Sequence, residues 1–191
     1  MAKSDLTKKA LANSLKTLVS KGNFDRITVS DITQRCGINR QTFYFHFNDK
    51  YQLLDWIYTQ ELFIPLVTDL NFDNWIYRLE ELFKYMKGSK QFYINTIKCS
   101  NNLFSEYLYR ALTEVIDKAI LDLEEQGVIQ NTAKKQKEVM AKFFAHGLTG
   151  VVVDWAVSGM KENDKELSII IKDILYDRDR IGKELYKYHL D

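Results

Sequence analysis

Proline occurs once in this chain of 191 residues, glycine eight times and cysteine twice. Sheet-rich folds of this size need more turn punctuation, so the shortage speaks against a sandwich or barrel and for helices. No apolar run approaches the ~20 residues of a membrane span, and Met1–Gly22 lacks the unbroken apolar core of a signal peptide. Cys36 and Cys99 have no metal-like spacing and read as reduced packing residues of a cytoplasmic protein. His46, His146 and His189 form no ligand triad. The chain also has no His-Glu-x-x-His, no Cys-x-x-Cys, no nucleophile elbow and no glycine-rich phosphate loop. Carboxylates such as Glu80, Glu81, Glu124 and Glu125 read as solvated helix faces. Neither enzyme chemistry, a metal nor a cofactor is expected.

What is present is enough to build a core. The chain is 46% hydrophobic and 28% charged, which excludes general disorder. Its net charge of +1 hides an asymmetry. Residues 1–60 carry nine Lys/Arg against five Asp, an excess of +4, and the remainder is at −3. A basic end on an otherwise neutral chain suits a local phosphate-binding surface.

Helical spacing runs throughout. A first helix from Ser4 or Asp5 to Gly22 places Leu11, Leu15 and Leu18 on one face. Thr28 with Asp31 resembles a capping box that opens a second helix running to Cys36. Gly37 takes the turn, where a left-handed backbone is easy only for glycine. Asn39 caps a third helix over Arg40–His46. A fourth starts at Asn48 or Asp49 and is expected to end near Pro65. Five more follow: Trp75 to Gly88, one capped by Ser89, Phe104 to Leu123, Ala133 to Ser158, and Lys165 to Tyr188.

Two short helices around a glycine, locked by Val29, Ile32, Cys36, Ile38 and Phe43, form a helix-turn-helix. The exposed face of its second helix would carry Asn39, Arg40, Gln41, Thr42 and Tyr44. Gln41 suits a bidentate pair with adenine, Arg40 one with guanine, and the Thr42 methyl a thymine methyl. Thr28, Tyr44, His46 and Lys50 suit phosphate oxygens.

The stretch Ile27-Thr28-Val29 to Gly37-Ile38-Asn39, then Thr42-Phe43-Tyr44-Phe45-His46-Phe47, Lys50 and Leu53, resembles the DNA-binding signature of TetR-family transcriptional regulators. Thr33 stands where alanine is common, and Asn39 where serine or threonine is. The resemblance implies an all-α fold of about nine helices. A helix-turn-helix head, residues 1–48, would precede a helical body, residues 49–191, that binds an effector and dimerises. It assigns Thr28, Asn39, Arg40, Gln41, Thr42, Tyr44, His46 and Lys50 to a double-stranded DNA operator.

In the last helix, Leu167, Ile171, Ile174, Arg178, Ile181 and Leu185 recur at spacings of three and four, a seam for another helix. Gly147, Gly150 and Val151 would let a neighbouring backbone come close. The resemblance makes these the faces of a homodimer reading a pseudo-palindrome. It also implies an effector pocket in the body, for which Trp75, Tyr93, Asn95, Cys99, Tyr107, His146 and Trp155 are candidates. Asp154, among valines, is expected to be partnered or exposed.

Arg40-Gln41-Thr42-Phe43-Tyr44, Leu53-Leu54-Asp55-Trp56-Ile57 and Phe92-Tyr93 are similar to the family branch that activates dihydroxyacetone-kinase operons. That branch implies a protein co-regulator in place of a small molecule. A third reading is an all-helical interaction protein whose helix-turn-helix is only structural.

Overall fold

A computed structural model of the protein describes residues 3–71, 74–99, 102–127 and 133–176. Nine helices and no strands lie among the described residues. They are α1 (Lys3–Val19), α2 (Val29–Cys36), α3 (Arg40–His46), α4 (residues 50–67), α5 (Trp75–Gly88), α6 (Lys90–Cys99), α7 (Leu103–Glu125), α8 (Lys134–Val157) and α9 (Asp164–Tyr176). The all-helical expectation holds, because the sequence offers helical apolar periodicity and almost no strand punctuation.

The fourth helix departs from expectation. It runs Lys50–Tyr58, widens into a π-helical turn over Thr59–Phe63, and continues through Ile64–Val67. Pro65 therefore does not end it. The Ile64 N–H reaches back five residues to the Thr59 carbonyl. Pro65, which has no N–H to place, stands directly after the widened turn, at the start of the Ile64–Val67 segment.

One apolar core joins head and body. Leu11, Leu15, Ile32 and Phe43 of the first three helices are continuous with Leu53, Leu54 and Ile57 of α4, and these with Phe83, Phe92, Phe104 and Trp155. α1 is tied to α2 by the buried Ser14 hydroxyl, which donates to the Ile32 carbonyl at 2.7 Å. Asn95 of α6 clasps the far end of α1, its amide donating to the Val19 and Gly22 carbonyls at 2.8 and 3.1 Å. α7 packs along α8, and α9 lies against α5.

Candidate nucleic-acid interface

Local chemistry fixes the reading head. Thr28 caps α2: its hydroxyl oxygen accepts the Asp31 N–H, and the Asp31 carboxylate accepts the Thr28 N–H at 2.8 Å and hydroxyl at 2.7 Å. Those two bonds hold the Asp31 carboxyl below its ordinary value. Gly37 sits at φ 67°, ψ 24°, the left-handed conformation expected of the turn. Asn39 then caps α3, its side-chain oxygen accepting the Thr42 N–H at 2.7 Å and the Thr42 hydroxyl at 2.9 Å. With its hydroxyl proton given to Asn39, Thr42 has its methyl and the acceptor side of its hydroxyl left to offer a base. Thr33 is buried, and its hydroxyl is satisfied by the Val29 carbonyl at 2.9 Å.

Phe43 is fully buried and anchors α3. Arg40, Gln41 and Tyr44 are exposed, and Thr42 and His46 are half-buried. One exposed residue on this helix was not among those expected to meet DNA. Phe45 is 83% exposed, the most exposed of the chain's large apolar side chains among the described residues, and its ring meets His46 edge-on at 5.0 Å. Its signal in the sequence was an aromatic next to the buried anchor with no apolar partner at helical spacing.

Lys50 is placed differently from the phosphate contact that the resemblance implied. Its ammonium donates to the carbonyls of Phe24 (3.0 Å), Asp25 (2.8 Å) and Ile27 (3.0 Å). It also lies 4.8 Å from the Phe24 ring centre and 5.5 Å from that of Tyr51. All three N–H groups are directed at the turn that ends in the Thr28 cap. Burial pushes the pKa of this ammonium down, and the nearby Asp25 carboxylate pulls it back up.

The seven body candidates do not come together. Tyr93 is buried and stacked on Tyr58, and Trp155 is buried against Phe83 at 4.8 Å. Asn95 is the clasp described above. Tyr107 is half-buried, stacked on Phe63 at 5.8 Å and hydrogen-bonded to Asp55, which raises its pKa. His146 is exposed and stacked on Tyr109 at 4.2 Å; Trp75 and Cys99 are half-buried. A cleft of about 620 Å³ between α4 and α5 is lined by none of the seven.

The expected dimer seam splits in two. Leu167 and Ile171 are 9% and 4% exposed and pack inside the same subunit, because α9 turns that face onto α5. Ile174 faces outward, and so do Ile169 and Ile170. On α8, Val139, Phe143, Gly147, Gly150 and Val151 form an exposed stripe, and a Cβ at either glycine would meet nothing within 4 Å. Asp154 is exposed on the same stripe, which removes the oddity of an acid among valines. Arg178, Ile181 and Leu185 lie outside the described residues.

Two family descriptions match the chain: "Bacterial regulatory proteins, tetR family" over residues 14–57, and "Transcriptional regulator C-terminal region" over residues 73–177. The chain is similar to the HTH-type dhaKLM operon transcriptional activator DhaS of Lactococcus lactis subsp. lactis. The two are 32% identical over 127 residues, 66% of this chain and 67% of that one. A solved structure of a dihydroxyacetone kinase operon activator DhaS superposes with a TM-score of 0.72 at 26% identity, over 92% of this chain and 97% of that one. The fatty acid degradation regulator FadR from Bacillus halodurans shares the fold, with a TM-score of 0.65 at 17% identity over 87% and 96% of the two chains. So does a TetR-family regulator from Pectobacterium atrosepticum, at 0.56 and 18% over 92% and 95%. Two capped helices around a left-handed glycine, continuous with an all-helical body, together with the two family matches and a relative 32% identical over 66% of the chain, identify it as a member of the TetR family of bacterial transcriptional regulators.

Proposed function

We propose that two copies of this chain read a pseudo-palindromic operator, each placing α3 in a major groove through Arg40, Gln41, Thr42 and Phe45. The observation that carries this reading is the outward face of α3: a cationic, an amide and two aromatic side chains stand exposed on a helix held by a buried phenylalanine. Exposing a full phenyl ring gains nothing in the free protein. Against a thymine methyl it buries apolar area. Tyr44, His46 and Thr28 flank this face and suit phosphate oxygens.

One head reads too few bases to be selective, and two heads about 34 Å apart read successive major grooves. The exposed stripe of α8 with Ile169, Ile170 and Ile174 of α9 is the face proposed for the homodimer. The head, residues 1–48, and the body, from residue 49 on, are functional units sharing one core, so the body's state reaches the head through α4. The similarity to activators of dihydroxyacetone kinase operons favours activation of such an operon over repression, with a co-regulator acting on the body. Selecting duplexes from a random pool tests the reading. Wild type should enrich an inverted repeat, and Gln41→Ala should lose preference at one symmetric position by about 1–3 kcal/mol. An unchanged preference in Gln41→Ala would refute the assignment of α3.

A further inference from the structure

The α4–α5 cleft has apolar walls from Leu62, Pro65, Leu66 and Leu82, and its volume is that of a small-molecule site. Two cations line it. Lys84 is held by the Glu80 and Glu81 carboxylates at 2.9 and 3.1 Å. Arg78 is half-buried, and its Nε is buried with no hydrogen-bond partner. It makes no ion pair among the described residues. An orphan guanidinium N–H is expensive to bury, and its planar fork matches carboxylate or phosphate oxygens. The acids lining the cleft, Glu61 and Glu81, already have cationic partners, Glu81 sharing Lys84 with Glu80, so the lining group left without a partner is the Arg78 guanidinium.

Seven residues along the same face of α5 stands Tyr85, about 10 Å from Arg78 at the helical rise. Its hydroxyl donates to Glu61 at 2.7 Å, and the same Glu61 oxygen receives the Lys16 ammonium of α1 at 2.5 Å. The Lys16 ammonium also lies over the Tyr85 ring, 5.6 Å from its centre. Behind this group the Tyr93 hydroxyl is buried without a partner, its ring 6.5 Å from that of Tyr85. Glu61 belongs to the π-helical turn of α4. One carboxylate on the cleft wall thus joins the head's first helix to the body.

We propose that this cleft binds a small organic anion, a carboxylate or phosphate monoester. Arg78 takes its charged group, and its apolar body runs along α5 and draws Tyr85 away from Glu61, loosening the hold on Lys16. The inference rests on the regulator reading above and adds to it a site, a ligand class and a route. By linkage, the anion and the operator change each other's affinity by the same factor.

Octanoate and octyl monophosphate serve as probes in calorimetry on the full chain, with 1-octanol as the uncharged control. At least one anion should bind saturably, the tighter of the two showing which head group the site prefers, and 1-octanol and the Arg78→Gln variant should each lose about tenfold or more. The bound anion should shift affinity for the selected duplex in wild type and in Lys16→Arg. In Lys16→Gln, which does not line the cleft, anion binding should persist while the shift disappears. Equal binding by Arg78→Gln, equal binding of 1-octanol, no binding of either anion, or an undiminished shift in Lys16→Gln would each overturn the proposal. Those failures leave selective duplex binding intact, whereas failure of the regulator reading appears as no enriched duplex, with calorimetry still reporting on the cleft.

Discussion

Replacing Lys50 by methionine separates two roles that its position in the sequence cannot distinguish. Methionine keeps most of the aliphatic stem over Phe24 and Tyr51 and removes only the ammonium. Three carbonyls then lose this donor, although that of Phe24 keeps the Ile27 N–H at 3.1 Å. That of Asp25 is exposed and water replaces the lysine there, but the bonds to Phe24 and Ile27 are part-buried. At about 1–1.5 kcal/mol for each half-buried charged hydrogen bond, less the relief of no longer burying an ammonium, the loss is about 2 kcal/mol. In a chain of this size that lowers Tm by about 4–8 °C. The damage starts at the turn that carries the Thr28 cap, so hydrogen exchange should rise first at the start of α2. Thermal unfolding checks the first number. A salt titration of duplex binding checks the second claim, that the slope of log K against log salt stays that of wild type. An unchanged Tm with a slope shallower by about one unit would show that the ammonium serves a phosphate, and the reasoning would fail.

Three further outcomes are expected. Phe45→Ala should leave Tm unchanged, since the ring touches almost nothing in the free protein, but weaken the selected duplex by about 1–2 kcal/mol, roughly 5- to 30-fold. Phe143, 71% exposed on the α8 stripe, should on replacement by aspartate turn a dimer into a helical monomer in sedimentation; an intact dimer would move the interface elsewhere. Thr28→Val removes the hydroxyl that caps α2 and should weaken the fold by about 1 kcal/mol. Because the Asp31 carboxyl is held below its ordinary value near 3.8, its stabilising effect is present above that pH and lost as acid is added through the lowered value. In Thr28→Val the NMR titration of Asp31 should move back up towards 3.8; no movement would sever Asp31 from the cap.

The head was legible because its determinants are local. Thr28 with Asp31, Gly37 at positive φ and Asn39 before Arg40 each act within three or four residues, and the observed boundaries of α2 and α3 follow them. The body was legible only in outline. Leu167, Ile171 and Ile174 share a spacing, but which of them meets α5 and which meets solvent depends on the rotation of α9 in three dimensions. Pro65 misled for a related reason: the helix continues past it by way of a π-helical turn that has no residue signature of its own. Lys50 matched a family pattern at a position where the motif records that a lysine is needed but not what its ammonium touches.

The widened turn in α4 has a geometric consequence for the way the molecule meets a duplex. A helix that holds one residue beyond regular α spacing sets the azimuth of everything before it relative to everything after. Winding the same five residues, 59–63, as an ordinary ladder would turn the reading surface relative to the body by up to about 100°, the rotation of one residue. The azimuth of the head is therefore set by how the shaft between the two halves is wound, a quantity that side-chain substitution on either half leaves untouched.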